Sequence, residues 1–231
     1  MEQQFILRSF GIGKSFSGVK VLEDINLEIE RGKVHALLGE NGAGKSTFIK
    51  IISGSYEPSE GHFEFDGEKI SQLTPLSAIR KGIAVVHQEL NLVPEMSVTE
   101  NIFLGRELLG FLGGINWKEM HCQAEELIKS FDLHFDVRSK VRLLSIAEKQ
   151  MLEIVRALSL QASLLILDEP TDVLTDKETE RLFILLRKLR KEGKTIIYIS
   201  HRLDELSHIC DRFTVLRDGR HVFTGNLANH T

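Results

Sequence analysis

Residues Gly39 to Thr47 read Gly-Glu-Asn-Gly-Ala-Gly-Lys-Ser-Thr and match GxxxxGK[ST] at every fixed position. This motif constrains the fold more than any other segment, because its chemistry works only where a buried strand turns into a helix. Both neighbours fit. The continuous apolar run Val34 to Leu38 reads as a buried strand, and helical patterning runs from about Lys45 to Ser53 with Gly54 as its C-cap. At such a turn Gly39, Gly42 and Gly44 let backbone N–H groups face inward and cradle phosphate oxygens, while the helix N-terminus adds the positive end of its dipole. Lys45 then reaches the terminal phosphates, and the Ser46 hydroxyl is placed to ligate Mg²⁺. Glu40, Asn41, Ala43 and Thr47 complete the loop around the phosphates. The rival reading, a glycine-rich turn without a ligand, is disfavoured by the strand before it and the helix after it.

The rest of the chain alternates strands with helices. Ile25, Leu27 and Ile29 alternate with polar residues, as in a half-buried strand, and Gly32 turns the chain into Val34 to Leu38. A further strand is expected around His62 to Asp66, closed by Gly67. Thr74 and Pro75 then start a short helix that Gly82 ends before the buried run Ile83 to Val86. From Ser97 to about Gln161 the pattern is helical, without a strand. Trp117, Met120, Ala124, Leu127, Ile128 and Phe131 form one apolar stripe, and Asn116 with Glu119 gives it a capping-box-like start. A second stripe, Met151, Ile154, Val155 and Leu158, precedes the strand Leu164 to Leu167. A helix with Leu182, Leu185, Leu186 and Leu189 on one face ends near Gly193 and leads into the strand Ile196 to Ile199. Asp218-Gly219 turns a hairpin between Phe213 to Leu216 and His221 to Phe223. The expected fold class is α/β, a mostly parallel sheet carrying antiparallel pieces and an inserted helical segment.

A phosphate-bound Mg²⁺ needs a carboxylate at the end of a buried strand, and Leu164 to Leu167 runs into Asp168 and Glu169. Asp168 is the expected Mg²⁺ partner, and Glu169, one residue further, is placed to polarise an attacking water. An acidic pair after a strand is by itself often a solvated strand end; the phosphate loop shifts that balance. Taken in order, Gly39 to Thr47, Gln88 after a strand, Leu167-Asp-Glu-Pro-Thr171 and His201 after a strand resemble the nucleotide-binding domain of ABC ATPases over essentially the whole chain. The resemblance implies one ATP-binding domain over residues 1–231. Its parts would be a RecA-like P-loop NTPase core, an N-terminal antiparallel β subdomain and an α-helical subdomain inserted at about 89–162. It further implies that Gln88 senses Mg²⁺ and the lytic water, that His201 contacts the γ-phosphate, and that Phe16 stacks on adenine. A lone Phe in a strand would otherwise be read as core.

The family's signature is LSGGQ, and here Leu144-Ser145-Ile146-Ala147-Glu148-Lys149-Gln150 lacks both glycines. Ser145 is retained at the start of a helix, and the resemblance implies that it reaches nucleotide held by a second ATPase half. The Leu-Ser-Ile-Ala form followed by Gln150-Met-Leu-Glu-Ile154 resembles the first half of tandem ATPases serving bacterial ribose-, galactose- and xylose-type importers. The implied partners are a second ABC ATPase half, transmembrane permease subunits and, indirectly, a periplasmic or extracellular sugar-binding protein. The implied location is cytoplasmic, peripheral on the inner face of the membrane through the permease. Residues 105–114 form a glycine-containing loop in the segment where the family docks against membrane subunits. Asp172 stands where the family has a small residue. The missing glycines predict a chain that by itself is mainly monomeric with ATP and hydrolyses little, since Cβ atoms at Ile146 and Ala147 restrict close approach.

Composition narrows the alternatives. With 231 residues, 42% apolar and 27% charged, the chain is in the globular range. Lys plus Arg total 29 against 33 Asp plus Glu, a net charge of −4 without a polybasic block, which argues against nucleic-acid binding. That balance and the Leu-Ser-Ile-Ala segment disfavour the alternative of a soluble ABC-type ATPase acting on ribosomes or DNA. A GTPase switch is disfavoured by the lack of an NKxD-like segment after a strand. Cys122 and Cys210 form no CxxC, and His35, His62, His87, His121, His134, His208, His221 and His230 show no metal-ligand spacing. Glu2 stands where a signal peptide carries basic residues, and no apolar run approaches the ~18 residues of a membrane span.

Overall fold

Two long strands begin the structure, a computed structural model that describes residues 4–70, 72–111 and 113–227. Glu2 and His230 lie outside the described residues. Strands β1 (Phe5–Phe16) and β2 (Val19–Glu30) pair antiparallel, and β1 also pairs with β4 (Glu60–Phe65), which pairs with β5 (Glu68–Ile70). They make a four-stranded antiparallel sheet in the order β2-β1-β4-β5. β1 does not announce itself in the sequence, because Gly11 and Gly13 interrupt its alternation where its pairing shifts register.

The second sheet has the order β10-β9-β3-β8-β7-β6. Its strands β3 (Val34–Leu38), β6 (Ile83–Val86), β7 (Leu164–Asp168), β8 (Thr195–Ile199) and β9 (Arg212–Arg217) run parallel, and β10 (Arg220–Asn226) closes one edge antiparallel. The inner strands are apolar almost throughout because helices or the antiparallel sheet cover both faces. On one face Phe48, Ile49 and Ile52 of α1 (Lys45–Ile52) pack with Ile166, Ile197 and the inner residues of the antiparallel sheet. On the other, Met151 and Ile154 of α5 (Ile146–Ser159) meet Leu182, Leu185 and Leu186 of α6 (Asp176–Lys191).

A third core lies among helices. Val98 and Ile102 of α3 (Val98–Phe103) and Met120, Ala124 and Ile128 of α4 (Trp117–Ser130) pack against Leu152 and Val155 of α5. Helix α5 therefore belongs to two cores and joins the helical segment to the sheet. The apolar stripe of α4 starts one turn later than the sequence suggests, since Trp117 is exposed. Its cap is also one-sided: Asn116 Oδ1 accepts from Glu119 N–H at 3.2 Å, while Glu119 Oε1 accepts from Gln123 Nε2. Helix α1 ends on Ser53, with Gly54 following at φ 79. Helix α2 (Pro75–Lys81) runs between Thr74 and Gly82, as its cap residues foretell.

The short α7 (Leu203–Ile209) has no counterpart in the sequence reading, because seven residues show no usable period. It brings Glu205 into the interior at the ends of β7 and β8. Glu205 Oε2 accepts from Thr171 Oγ1 at 2.9 Å, Tyr198 OH at 2.8 Å and Ser200 Oγ at 3.1 Å, and Arg202 Nη1 lies 2.9 Å from Oε1. One buried carboxylate thus ties the turn after β7 to the turn after β8.

Two expectations for stability follow from these interiors. Removing Glu205 leaves three buried hydroxyls without their acceptor, so Glu205→Ala is expected to cost about 3 kcal/mol, read as a fall of about 6–12 °C in Tm for a chain of this size. An unchanged Tm contradicts the network. His35 on β3 is buried with Nε2 2.8 Å from Thr214 Oγ1, and burial, with Arg212 nearby, pushes its pKa down to about 3 from 6.5. Between those values the unfolded chain binds a proton that the folded chain refuses, so this group's stabilisation is present above about pH 6.5 and is lost as pH falls toward 3. His35→Leu is expected to lose less stability than wild type between about pH 7 and about pH 5 in urea titrations; parallel losses contradict the assignment.

Candidate active site

The loop between β3 and α1 is held in a shape that excludes side chains at Gly39 and Gly44. A Cβ on Gly44, at φ 99, would lie 2.4 Å from Leu22 Cδ2, and one on Gly39 would lie 2.4 Å from Leu216 O. Lys45 turns back inside the curl, where Nζ donates to Gly39 O at 2.7 Å and Glu40 O at 3.1 Å. Helices α2, α3 and α5 close their first turns with reciprocal capping boxes on Thr74, Ser97 and Ser145, and at α6 the Thr175 N–H and hydroxyl both donate to Glu178 Oε2. Helix α1 has no side-chain cap and no acidic residue in its first turn. Its leading N–H groups therefore face the loop, ready for an anion.

Three further parallel strands, β6, β7 and β8, deliver the other parts to the same edge of the sheet as β3. A cavity of about 470 Å³ is lined by Val21, Asn41 to Thr47, Gln88, Asp168 and Glu169. Asp168 ends β7, and burial pushes its pKa up, against the opposing charges of His87, Lys45 and Lys50. Glu169 stands in the left-handed region at φ 49, with its N–H donating to Ile199 O at 3.0 Å, so the backbone conformation fixes where its carboxylate points. Gln88 Nε2 donates to Glu169 Oε2 and to Asp172 Oδ2, both at 3.0 Å. His201 Nδ1 lies 3.5 Å from Glu169 Oε1 and 3.9 Å from Asp172 Oδ1. Burial, followed by Asp172, raises the Glu169 pKa, and His201 works in the opposite direction.

Not every residue singled out in the sequence joins this cavity. Gly39 and Glu40 contribute carbonyls to Lys45 and do not line it. Phe16 stands at the β1–β2 turn, 38% exposed, edge-on to Tyr56 at 5.3 Å and with Lys14 Nζ 5.2 Å from its ring centre. Ser145 caps α5, its Oγ accepting from Glu148 N–H at 3.2 Å while Glu148 Oε2 accepts from Ser145 N–H at 2.7 Å. The same helix grips the segment after Gln88: Glu153 Oε1 accepts from Asn91 N–H at 2.7 Å, and Arg156 Nη1 donates to Asn91 O at 2.9 Å. Glu153 and Arg156 carry no sequence signal, since both act through Asn91, 62 and 65 residues away, and Glu205 carries none because the hydroxyls of Thr171, Tyr198 and Ser200 converge on it only once β7, β8 and α7 are assembled. Asp172 is visible only as a departure from the family pattern.

The donors in the cavity wall suit a hard cation. Ser46, Asp168 and Gln88 can offer a hydroxyl, a carboxylate and an amide oxygen, an all-oxygen set that fits Mg²⁺ better than a soft metal. Glu169, Asp172 and His201 also bring one ligand atom each within 4.8 Å of one another. There the Gln88 amide already bridges the two carboxylates.

A family model described as ABC transporter matches residues 22–172. The ribose import ATP-binding protein of Caldanaerobacter subterraneus subsp. tengcongensis is 48% identical over 226 residues, which are 98% of this chain and 46% of that protein. A putative ribose/galactose/methyl galactoside import ATP-binding protein of Agrobacterium fabrum is 48% identical over 231 residues, 100% of this chain and 45% of that protein. The chain spans about half the length of the curated relatives it matches. Among solved structures, the ADP conformation of MJ1267, an ATP-binding cassette of an ABC transporter, has a TM-score of 0.84 at 26% identity and covers 97% of this chain and 92% of that one. The dimeric post-hydrolysis state of the ATP-binding cassette MJ0796, bound to ADP and Pi, has a TM-score of 0.81 at 27% identity, over 96% and 98%. The antiparallel sheet, the parallel-rich sheet behind the phosphate loop and the helical core make the P-loop NTPase fold of those cassettes, and with the family match across residues 22–172 this chain belongs to the ABC transporter family.

Proposed function

We propose that this chain binds MgATP and hydrolyses it as one half of the ATPase that powers sugar import by an ABC transporter. The observation that carries the reading is the single cavity in which Lys45, Ser46, Gln88, Asp168 and Glu169 meet at the carboxyl edge of a parallel sheet. The phosphates would lie on the uncapped N–H groups of α1, and Lys45 Nζ would exchange two loop carbonyls for phosphate oxygens. Ser46, Asp168 and Gln88 are the residues to hold Mg²⁺, which when bound neutralises charge on the terminal phosphates. Glu169 is the base for the attacking water. Its raised proton affinity suits that role, and Gln88 and His201 flank its carboxylate. The water oxygen bonds to the γ-phosphorus in line as the bond to the bridging oxygen breaks, with the water proton passing to Glu169. His201 would lie beside the γ-phosphate, and Phe16 would meet the adenine.

Residues 1–231 would act as one ATP-binding domain, with about 89–162 as its helical insertion. Sugar import is supported by the names of the relatives, which are import proteins and so speak against action on ribosomes or DNA. A second ATPase half would present its own signature serine across the nucleotide. Ser145 would do the same for the partner's site, where Glu148 adds a carboxylate beside the Ser145 N–H and Ile146, 52% exposed, fills space left free by glycine in the family. Both features favour a non-identical partner over pairing of two copies. No described helix is long and apolar enough to cross a membrane. The chain would work in the cytoplasm, held at the inner face of the membrane by permease subunits, with the sugar-binding protein acting only through them. Leu109 and Phe111 are exposed in the loop where such docking is expected, which supports that contact.

Two variants separate binding from chemistry. Lys45→Ala is expected to abolish calorimetrically detectable MgATP binding in a folded protein; unchanged affinity rejects the phosphate-loop assignment. Glu169→Gln is expected to keep ATP binding and to lower phosphate release by about 10²–10⁴-fold in the full-length protein with its partners. Normal turnover rejects Glu169 as the base.

A further inference from the structure

Asp172 is a carboxylate that the phosphate chemistry does not call for. It lies in the turn that leaves β7, its N–H 3.4 Å from Glu169 O, and it does not line the phosphate-loop cavity. Its Oδ2 is nevertheless 3.0 Å from Gln88 Nε2, the same distance as Glu169 Oε2. Gln88 does line the cavity. A glutamine amide has two unlike arms, a nitrogen carrying two N–H donors and an oxygen that only accepts. Which arm faces a cation decides whether the residue is a ligand or a repulsive neighbour.

An ionised carboxylate only accepts, so two of them around one end of the amide select the nitrogen for that end. With both N–H groups engaged, the amide plane is fixed and the oxygen is the arm left over. A single carboxylate would leave one N–H free and the amide able to rotate about the remaining bond. Glu169 is already held by its left-handed backbone and by Ile199 O. Asp172 leaves the turn next to Thr171, whose hydroxyl is anchored on buried Glu205. Both acceptors are therefore fixed from behind before Gln88 meets them.

We propose that Asp172 is a positioning residue: with Glu169 it holds both N–H groups of the Gln88 amide, so that Gln88 Oε1 is the atom offered to Mg²⁺. The proposal rests on the MgATP reading above and concerns a carboxylate at a position where the resemblance leads one to expect a small residue.

The test is calorimetric ATP affinity, with Mg²⁺ and with EDTA, for the full-length protein and its Asp172→Ala, Asp172→Asn, Gln88→Ala and Asp172→Ala/Gln88→Ala variants, each checked for folding by its Tm. Asp172→Ala is expected to reduce the gain in affinity that Mg²⁺ brings by about tenfold, with affinity in EDTA unchanged. Asp172→Asn, whose amide oxygen still accepts from Gln88, is expected to keep most of that gain. In the Gln88→Ala background, Asp172→Ala is expected to have no further effect. An unchanged or larger Mg²⁺ gain in Asp172→Ala overturns the proposal; a larger one would mean that Asp172 draws Gln88 away from the cation. An equal loss in EDTA, or a full further loss in the Gln88→Ala background, also overturns it, because the effect then does not run through the amide. If the wild-type protein binds no ATP under either condition, the nucleotide reading fails and the proposal falls with it.

Discussion

Three parallel pairings fix where the chemistry sits. Ile199 on β8 is paired with Leu37 on β3 and with Asp168 on β7, and Leu167 is paired with Val86 on β6. The chain leaves all four strands at one edge, so Gly39, Gln88, Glu169 and His201 emerge within a few residues of a common line. The register is enforced from both faces, since α1 and the antiparallel sheet cover one side and α5 and α6 the other. A slip of one residue would turn Asp168 to the opposite face and move it by about 3.3 Å. Backbone hydrogen bonds in a dry sheet thus set distances that the site's side chains could not set for themselves.

Charge at that edge is arranged in opposition. Lys45 and the uncapped end of α1 make one wall attractive to anions, while Asp168 and Glu169 place carboxylates on the other and Asp172 meets Gln88 outside the cavity. Burial makes ionisation of Asp168 and Glu169 costly, as their raised proton affinities record. A bound cation relieves that cost at Asp168, and a water proton relieves it at Glu169. Behind both walls, neutral and charged donors converge on Glu205 and Glu153, which fasten the turns after β7 and β8 and the segment after Gln88. Helix α5 carries Glu153 and Ser145 together, so the segment after Gln88 and the signature-like turn at Ser145 are tied to one helix.

What the sequence disclosed depended on whether a feature was local. The strand-loop-helix unit from Val34 to Ser53 was legible because its motif, apolar run and helical period lie side by side. The buried strands β6, β7 and β8 were legible as apolar runs, and α6 as a leucine face. β1 was hidden by glycines at its bulges, and α7 by its length. In the cavity, Lys45 and Asp168 could be read from spacing, and Gln88 entered through family resemblance, as did His201 beside Glu169; Phe16, expected from the same resemblance, stands outside the cavity against Tyr56. Partnerships were beyond reach: Gln88 and Asp172 stand 84 residues apart, and Thr171 and Glu205 stand 34 apart, with no periodic signal to join them.

The most direct test of the site is a crystal structure of the full-length Glu169→Gln protein with ATP and Mn²⁺, in which anomalous scattering locates the cation. The expected density lies between Ser46, Asp168 and Gln88 Oε1, against phosphates seated on the N-terminus of α1. Cation density instead among residue 169, Asp172 and His201, or phosphates away from Lys45, would contradict the reading of this edge of the sheet as a MgATP site.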